Sequence, residues 1–131
     1  MASKNSQSET IKEAVTAATR AISGNKELEI NFGGMGSSLP HPPKTLKELS
    51  AYRGKADSLA CVEKYRDKSV RIASNNEKVN SLIKVMEDSR VEILGSMNYP
   101  GIATNIKSKF DDKCKLYESF EDHEDHLEIA L

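Results

Sequence analysis

The sequence has no tryptophan, only 5% aromatic residues and two cysteines among 131 residues. So sparse an aromatic set argues against a large buried β-core. Cys61 and Cys114 lie far apart in sequence, with neither metal-type nor redox-type spacing, so both are expected as buried, unpaired thiols suited to a reducing compartment. No stretch approaches the roughly 20 apolar residues that a membrane span requires. The first residues, MASKNSQSETIKEA, carry no apolar run of signal-peptide type, so the expected location is cytoplasmic. An excess of one charge is missing too: 19 Lys and Arg face 20 Asp and Glu, a net charge of −1. Nothing here makes a global field to gather nucleic acid or an anionic membrane surface.

What the chain has is charge and helical periodicity. Its 30% charged and 37% hydrophobic residues, over a length sufficient for one core, imply a mostly α fold: one small domain of about four helices with a minor β element near residues 27–32. The expected division is a disordered N-terminus at 1–7, a helical domain at 8–117, and at 118–131 an acidic tail or the start of a further helix. Ser8 can cap a first helix with Ile11, Val15, Ala18 and Ile22 on one face, stopped by Gly24-Asn25. Leu28, Ile30 and Phe32 then alternate with Glu29 and Asn31, the period of a half-buried strand, although no second segment alternates as clearly. Thr45 and Glu48 have capping-box spacing before a helix with Leu49, Tyr52, Ala56, Leu59, Ala60 and Val62 on its buried side; Gly54 within it suggests a close packing contact. Val70 and Ile72 fall in an ambiguous segment. The most regular pattern starts near Asn76, where Val79, Leu82, Ile83, Met86, Ile93, Leu94 and Met97 share a helical face expected to enter the core. Pro100 can open a last helix that buries Ile102, Ile106, Phe110, Cys114 and Tyr117, making an antiparallel hairpin with its predecessor.

Three stretches invite a chemical reading. Gly33-Gly34-Met35-Gly36-Ser37-Ser38 resembles the start of a phosphate loop, but Pro40, Pro42 and Pro43 follow, removing N–H donors and delaying the next helix to Thr45. The segment therefore reads as a structural connector, with His41 in a surface or packing role. In the tail, His123 and His126 lie among Glu121, Asp122, Glu124 and Asp125, a set that could hold a divalent ion weakly. A solvated acidic run is the plainer reading, and a small metal-binding or metal-delivery protein the alternative function. No serine has a nucleophile-elbow context and no cysteine has a neighbouring histidine, so no catalytic residue is expected.

Taken in order, IKEAVTAATRAISGNKELEINF, LPHPPK, YRGKADSLA and DSRVEILGSMNYPGIATNI resemble the N-terminal domain of the CobT subunit of the aerobic, ATP-dependent cobaltochelatase, over about Ile11 to Ile106. That enzyme inserts Co²⁺ into a corrin-ring precursor of cobalamin. Its large subunit holds the tetrapyrrole, its AAA+ subunit hydrolyses ATP, and CobT assembles with the AAA+ subunit into a ring-shaped complex. The resemblance implies a non-catalytic assembly and coupling domain that binds no cofactor itself, while Co²⁺ and ATP are used by the complex. Its partners would be the AAA+ and large subunits, with self-association also open. Arg53, Asp57, Arg90 and Glu92 lie in the matched clusters, either as structural ion pairs between helices or as contacts to a neighbouring subunit. Members of the family continue to a C-terminal domain bearing a D-x-S-x-S motif; no such motif occurs here, and the chain is expected to be a fragment or a shortened gene product.

Overall fold

In a computed structural model, residues 2–69 and 73–118 are described. Val70, Ile72 and the tail with His123 and His126 lie outside the described residues. Among the described residues four helices make up the fold: α1 (Ala2–Ser23), α2 (Leu49–Tyr65), α3 (Glu77–Asn98) and α4 (Pro100–Glu118), with a 3₁₀ turn at Leu46–Glu48 leading into α2. Among the described residues there is no sheet, and no helix is long and apolar enough to cross a membrane. α1 starts at Ala2 rather than at a Ser8 cap. Neither glycine nor proline interrupts residues 2–7, and Thr10 Oγ1 bonds back to the Ser6 carbonyl at 2.8 Å.

α2 is the axis of the molecule and touches the other three helices. On one side, Tyr52 and Ala56 meet Val15 of α1 and Leu39, with Ile11, Ile30, Phe32 and Leu59 packed around them. On the other, Cys61 meets Val91, Ile102 and Ile106, with Ile22, Val62 and Tyr65 alongside. These contacts pair early α1 with early α2 and late α1 with late α2, so the two helices run in the same direction. The connection at 24–45 must therefore travel back along the whole pair.

That return path explains the alternating segment. Arg20 Nε donates to the Leu28 carbonyl at 2.9 Å, while Lys12 Nζ sits 5.9 Å over the Phe32 ring. Four extended residues thus retrace eight helical ones, roughly 13 Å of strand-like chain against roughly 12 Å of helix axis. Leu28, Ile30 and Phe32 turn inward and Glu29 and Asn31 outward, as the alternation predicts. The partner is a helix groove, however, and the expected strand reduces to one parallel bridge between Phe32 and Leu39. Gly33, at φ +73, makes the turn that lets its own N–H reach the Leu39 carbonyl at 2.8 Å. Leu39 is then buried in the core, and Tyr52 Oη donates to the Pro40 carbonyl at 2.9 Å. The glycine-proline stretch is a connector fastened at both ends.

The cap signals hold in modified form. Thr45 Oγ1 and Glu48 Oε2 bond to each other at 3.0 Å across the 3₁₀ turn, and Asn76 Oδ1 accepts from the Lys78 N–H at 3.0 Å to open α3. Tyr99 alone separates α3 from α4, and Glu92 meets Lys109 further from the turn, so the two form the expected antiparallel hairpin.

Two expectations about burial fail. In α3 the buried residues are Val91, Glu92 and Gly95, whereas Leu82 is 51% and Met97 78% exposed, with Val79, Met86 and Ile93 also exposed. Ile93 and Met97 are each two positions, about 200° of helix, from Val91 and Gly95, so they fall outside the buried face of α3 and border an open groove with Ile106 and Phe110 of α4. In α4 the buried residues are Ile102 and Ile106; Phe110, which borders an open groove with Ile93 and Met97 of α3, and Cys114 are exposed. Cys61 is the buried thiol, and burial, with the Asp57 and Glu92 carboxylates nearby, pushes its pKa up to about 11. It is held as an inert packing group.

Candidate functional site

Where α4 crosses α2, small residues let the backbones meet. A Cβ on Gly54 would lie 2.2 Å from the Asn105 carbonyl oxygen; where α3 meets α2, one on Gly95 would lie 2.2 Å from Cys61 Sγ. Such close approach leaves no room for large apolar side chains beside the contact, and polar groups fill the remaining space. Ser50 Oγ donates to Ser108 Oγ at 2.8 Å, and Asn105 Nδ2 donates to Asp57 Oδ2 at 2.7 Å. Arg53 Nη2 stands 3.5 Å from Asp57 Oδ1. One residue along, Ser58 Oγ donates to Glu92 Oε1 at 2.6 Å and accepts from Lys109 Nζ at 2.7 Å, while Lys109 Nζ also bonds Glu92 Oε1 directly. The result is a continuous seam of polar contacts tying α2 to both arms of the hairpin.

Its electrostatics follow from burial. Asp57 is 1% exposed, and loss of solvent raises its carboxyl above the ordinary value, opposed by the Asn105 hydrogen bond and the Arg53 charge. Glu92 is 9% exposed and is neutralised by Lys109 on the opposite helix. Arg53 keeps unused capacity: its Nε is buried without a hydrogen-bond partner, while the side chain remains 29% exposed.

Arg90 lies elsewhere. Its Nε and Nη2 bind both oxygens of Glu87, at 2.9 and 2.7 Å, and Nη2 reaches the Tyr65 carbonyl at 3.0 Å. It thereby satisfies an otherwise open carbonyl at the end of α2 and places a cation at the negative end of that helix. The paired guanidinium holds Glu87 below the usual carboxylate range. Of the four residues singled out in the sequence, the fold brings Arg53 and Asp57 together, sets Glu92 next to them through Ser58, and leaves Arg90 apart. Asn105, Lys109, Ser50 and Ser108 escaped the sequence reading. Ser50 had a signal in the four-residue spacing Ser50, Gly54, Ser58, which marks a close helix crossing, whereas Asn105, Ser108 and Lys109 on α4 had none.

Among the described residues no three His, Cys, Asp or Glu side chains gather as a metal site. The seam is a set of satisfied pairs between helices, and its chemistry is to fix their orientation. A family model, cobalamin biosynthesis protein CobT, matches residues 5–127, most of the chain. The chain belongs to the CobT family. No solved structure matches it. CobT membership gives the chain a role in cobalamin biosynthesis and makes the helix crossing at Gly54, Asp57 and Asn105 part of a CobT domain.

Proposed function

We propose that the chain is a non-catalytic assembly and coupling domain of a cobaltochelatase, the ATP-dependent complex that inserts Co²⁺ into a corrin-ring precursor of cobalamin. Membership of the CobT family carries this reading. The use of charge supports it, because Asp57 and Glu92 are consumed by contacts that fix helix against helix. In this reading the domain binds no cofactor of its own. Co²⁺ is a substrate of the complex, ATP is hydrolysed by a AAA+ subunit, and a large subunit holds the tetrapyrrole. The domain works in the cytoplasm and binds neither nucleic acid nor membrane. Arg53 and Arg90 contact the AAA+ subunit with the guanidinium surface they retain, while Asp57 and Glu92 hold the crossing that presents them.

The test is a pull-down with the folded AAA+ subunit combined with an ATPase assay. The chain alone should hydrolyse no ATP yet retain the subunit, and Arg53→Ala with Arg90→Ala should weaken retention without unfolding the chain. Intrinsic ATPase activity, or no association between two folded proteins, would sink the assignment.

A further inference from the structure

We propose that a lysine-rich groove between α2 and α4 is the docking site of this chain's own acidic segment, residues 119–131, held there by charge. The inference goes beyond the cobaltochelatase reading and does not rest on it. Lys55 of α2 and Lys109, Lys113 and Lys115 of α4 line the groove, against one acid, Asp112. Lys109 is neutralised by Glu92, to which it bonds directly. Among the described residues Lys55, Lys113 and Lys115 stand in no ion pair, and all three are exposed. Three uncompensated cations thus face a single carboxylate. Apolar surface lies among them, from Phe110 and Leu116, which are 46% and 58% exposed. A matching occupant brings carboxylates and apolar side chains together. Another cationic groove, lined by Arg66, Lys84 and Arg90, makes no such demand, because Asp88 and Glu87 already neutralise it.

The sequence that follows α4 has the matching chemistry. Residues 118–131, ESFEDHEDHLEIAL, carry six acidic side chains and no Lys or Arg, together with Phe120, Leu127, Ile129 and Leu131. Their charge begins at the C-terminal end of α4, where the last carbonyls already present negative charge, so the carboxylates repel one another and the helix end. Lys113 and Lys115, five and three residues before Glu118, lie within two turns of that end. Lys55 is the demanding contact, because it stands on another helix. Reach does not limit it: thirteen residues span up to about 43 Å, whereas Glu118 to Lys109 covers about 14 Å of helix axis. Each exposed ion pair is weak by itself and is screened by salt. The covalent tether offsets that weakness by holding the segment at an effective concentration on the order of millimolar, where several pairs act together.

Carbodiimide coupling of the full 131-residue chain, read by peptide mass spectrometry, tests the contact, since it joins a lysine to a carboxylate only where the two touch. At low salt Lys55 should couple to Glu121, Asp122, Glu124 or Asp125 with a yield roughly fivefold above that of Lys26 and Lys78, exposed lysines that do not line the groove. At about 0.5 M salt, where screening is complete beyond roughly 4 Å, the yield should fall to the level of those two. Lys113→Gln with Lys115→Gln should lower Lys55 coupling roughly fivefold at low salt, because the segment loses two of the cations that hold it. Both positions are exposed, so an unchanged circular dichroism spectrum should confirm that the variant is folded. In a mixture of isotopically light and heavy chains, the coupled peptides should come from one chain. Three results would overturn the proposal: Lys55 coupling no better than Lys26 and Lys78, coupling insensitive to both salt and the glutamine changes, or coupled peptides that join light to heavy chains.

Discussion

Helices α2 and α3 both carry an amphipathic pattern, yet the one with smaller side chains is the better buried. α2 presents Ala51, Gly54, Ala56, Ala60 and Cys61 to its neighbours, all buried, while α3 leaves Val79, Leu82, Met86, Ile93 and Met97 in solvent. Hydrophobicity decides which residues could be covered, but distance between backbones decides which helices cover them. A row of small residues lets α4 come so close that Asn105 touches the backbone of Gly54, and dispersion contacts and hydrogen bonds then accumulate over the whole crossing. The aliphatic stripe of α3 lies outside this junction and stays exposed to solvent.

The largest test of this contrast is Gly54→Ala. On an exposed helix the change would stabilise by about 1 kcal/mol through helix propensity. Here the added methyl meets a backbone carbonyl that can only yield by separating α2 from α4, so chemical denaturation should show a loss of about 3 kcal/mol. A gain would mean that the two backbones are not in close contact. Next comes Val91→Ala, on the buried side of α3 at 0% exposure, with an expected loss of about 2 kcal/mol.

A smaller effect concerns the polar seam and depends on pH. Burial raises the Asp57 carboxyl above its ordinary value of 3.8, so the folded chain holds that proton more tightly than the unfolded chain. The stability Asp57 contributes is therefore full below the ordinary value and declines as pH rises through the folded one. Denaturation series on the wild type and Asp57→Asn should diverge in favour of asparagine as the solution is taken from acid to neutral. Parallel curves would show that Arg53 and Asn105 fully offset the burial. The least effect is expected for Leu82→Ala, on the same helix as Val91. In dilute monomer it should change stability by less than about 0.5 kcal/mol, and a loss of core size would contradict the exposed placement of the stripe.

Much of the local structure was legible in the residues. Gly24 and Asn76 marked helix ends, Pro100 marked a start, Gly54 marked a close contact, and the inward side of Leu28, Ile30 and Phe32 followed from alternation alone. Each of these depends on a residue and its immediate neighbours, which the sequence displays directly. The partner of that extended segment was not legible, because period two reports only that alternate side chains are buried and is satisfied as well by a helix groove as by a strand. Nor was the site: Asn105 and Lys109 are ordinary helical residues until α4 lies across Gly54.

By itself the sequence determined four helices, a connector at 33–44 and, through the order of its motifs, membership of the CobT family. Tertiary structure alone decided which face of α3 turned inward, how Asp57 and Glu92 found their partners, and which of the two cysteines was sealed from solvent. The reason is physical. Periodicity fixes the angle of a side chain around its own helix, whereas burial depends on where the next helix comes to rest, and here two glycines set that position.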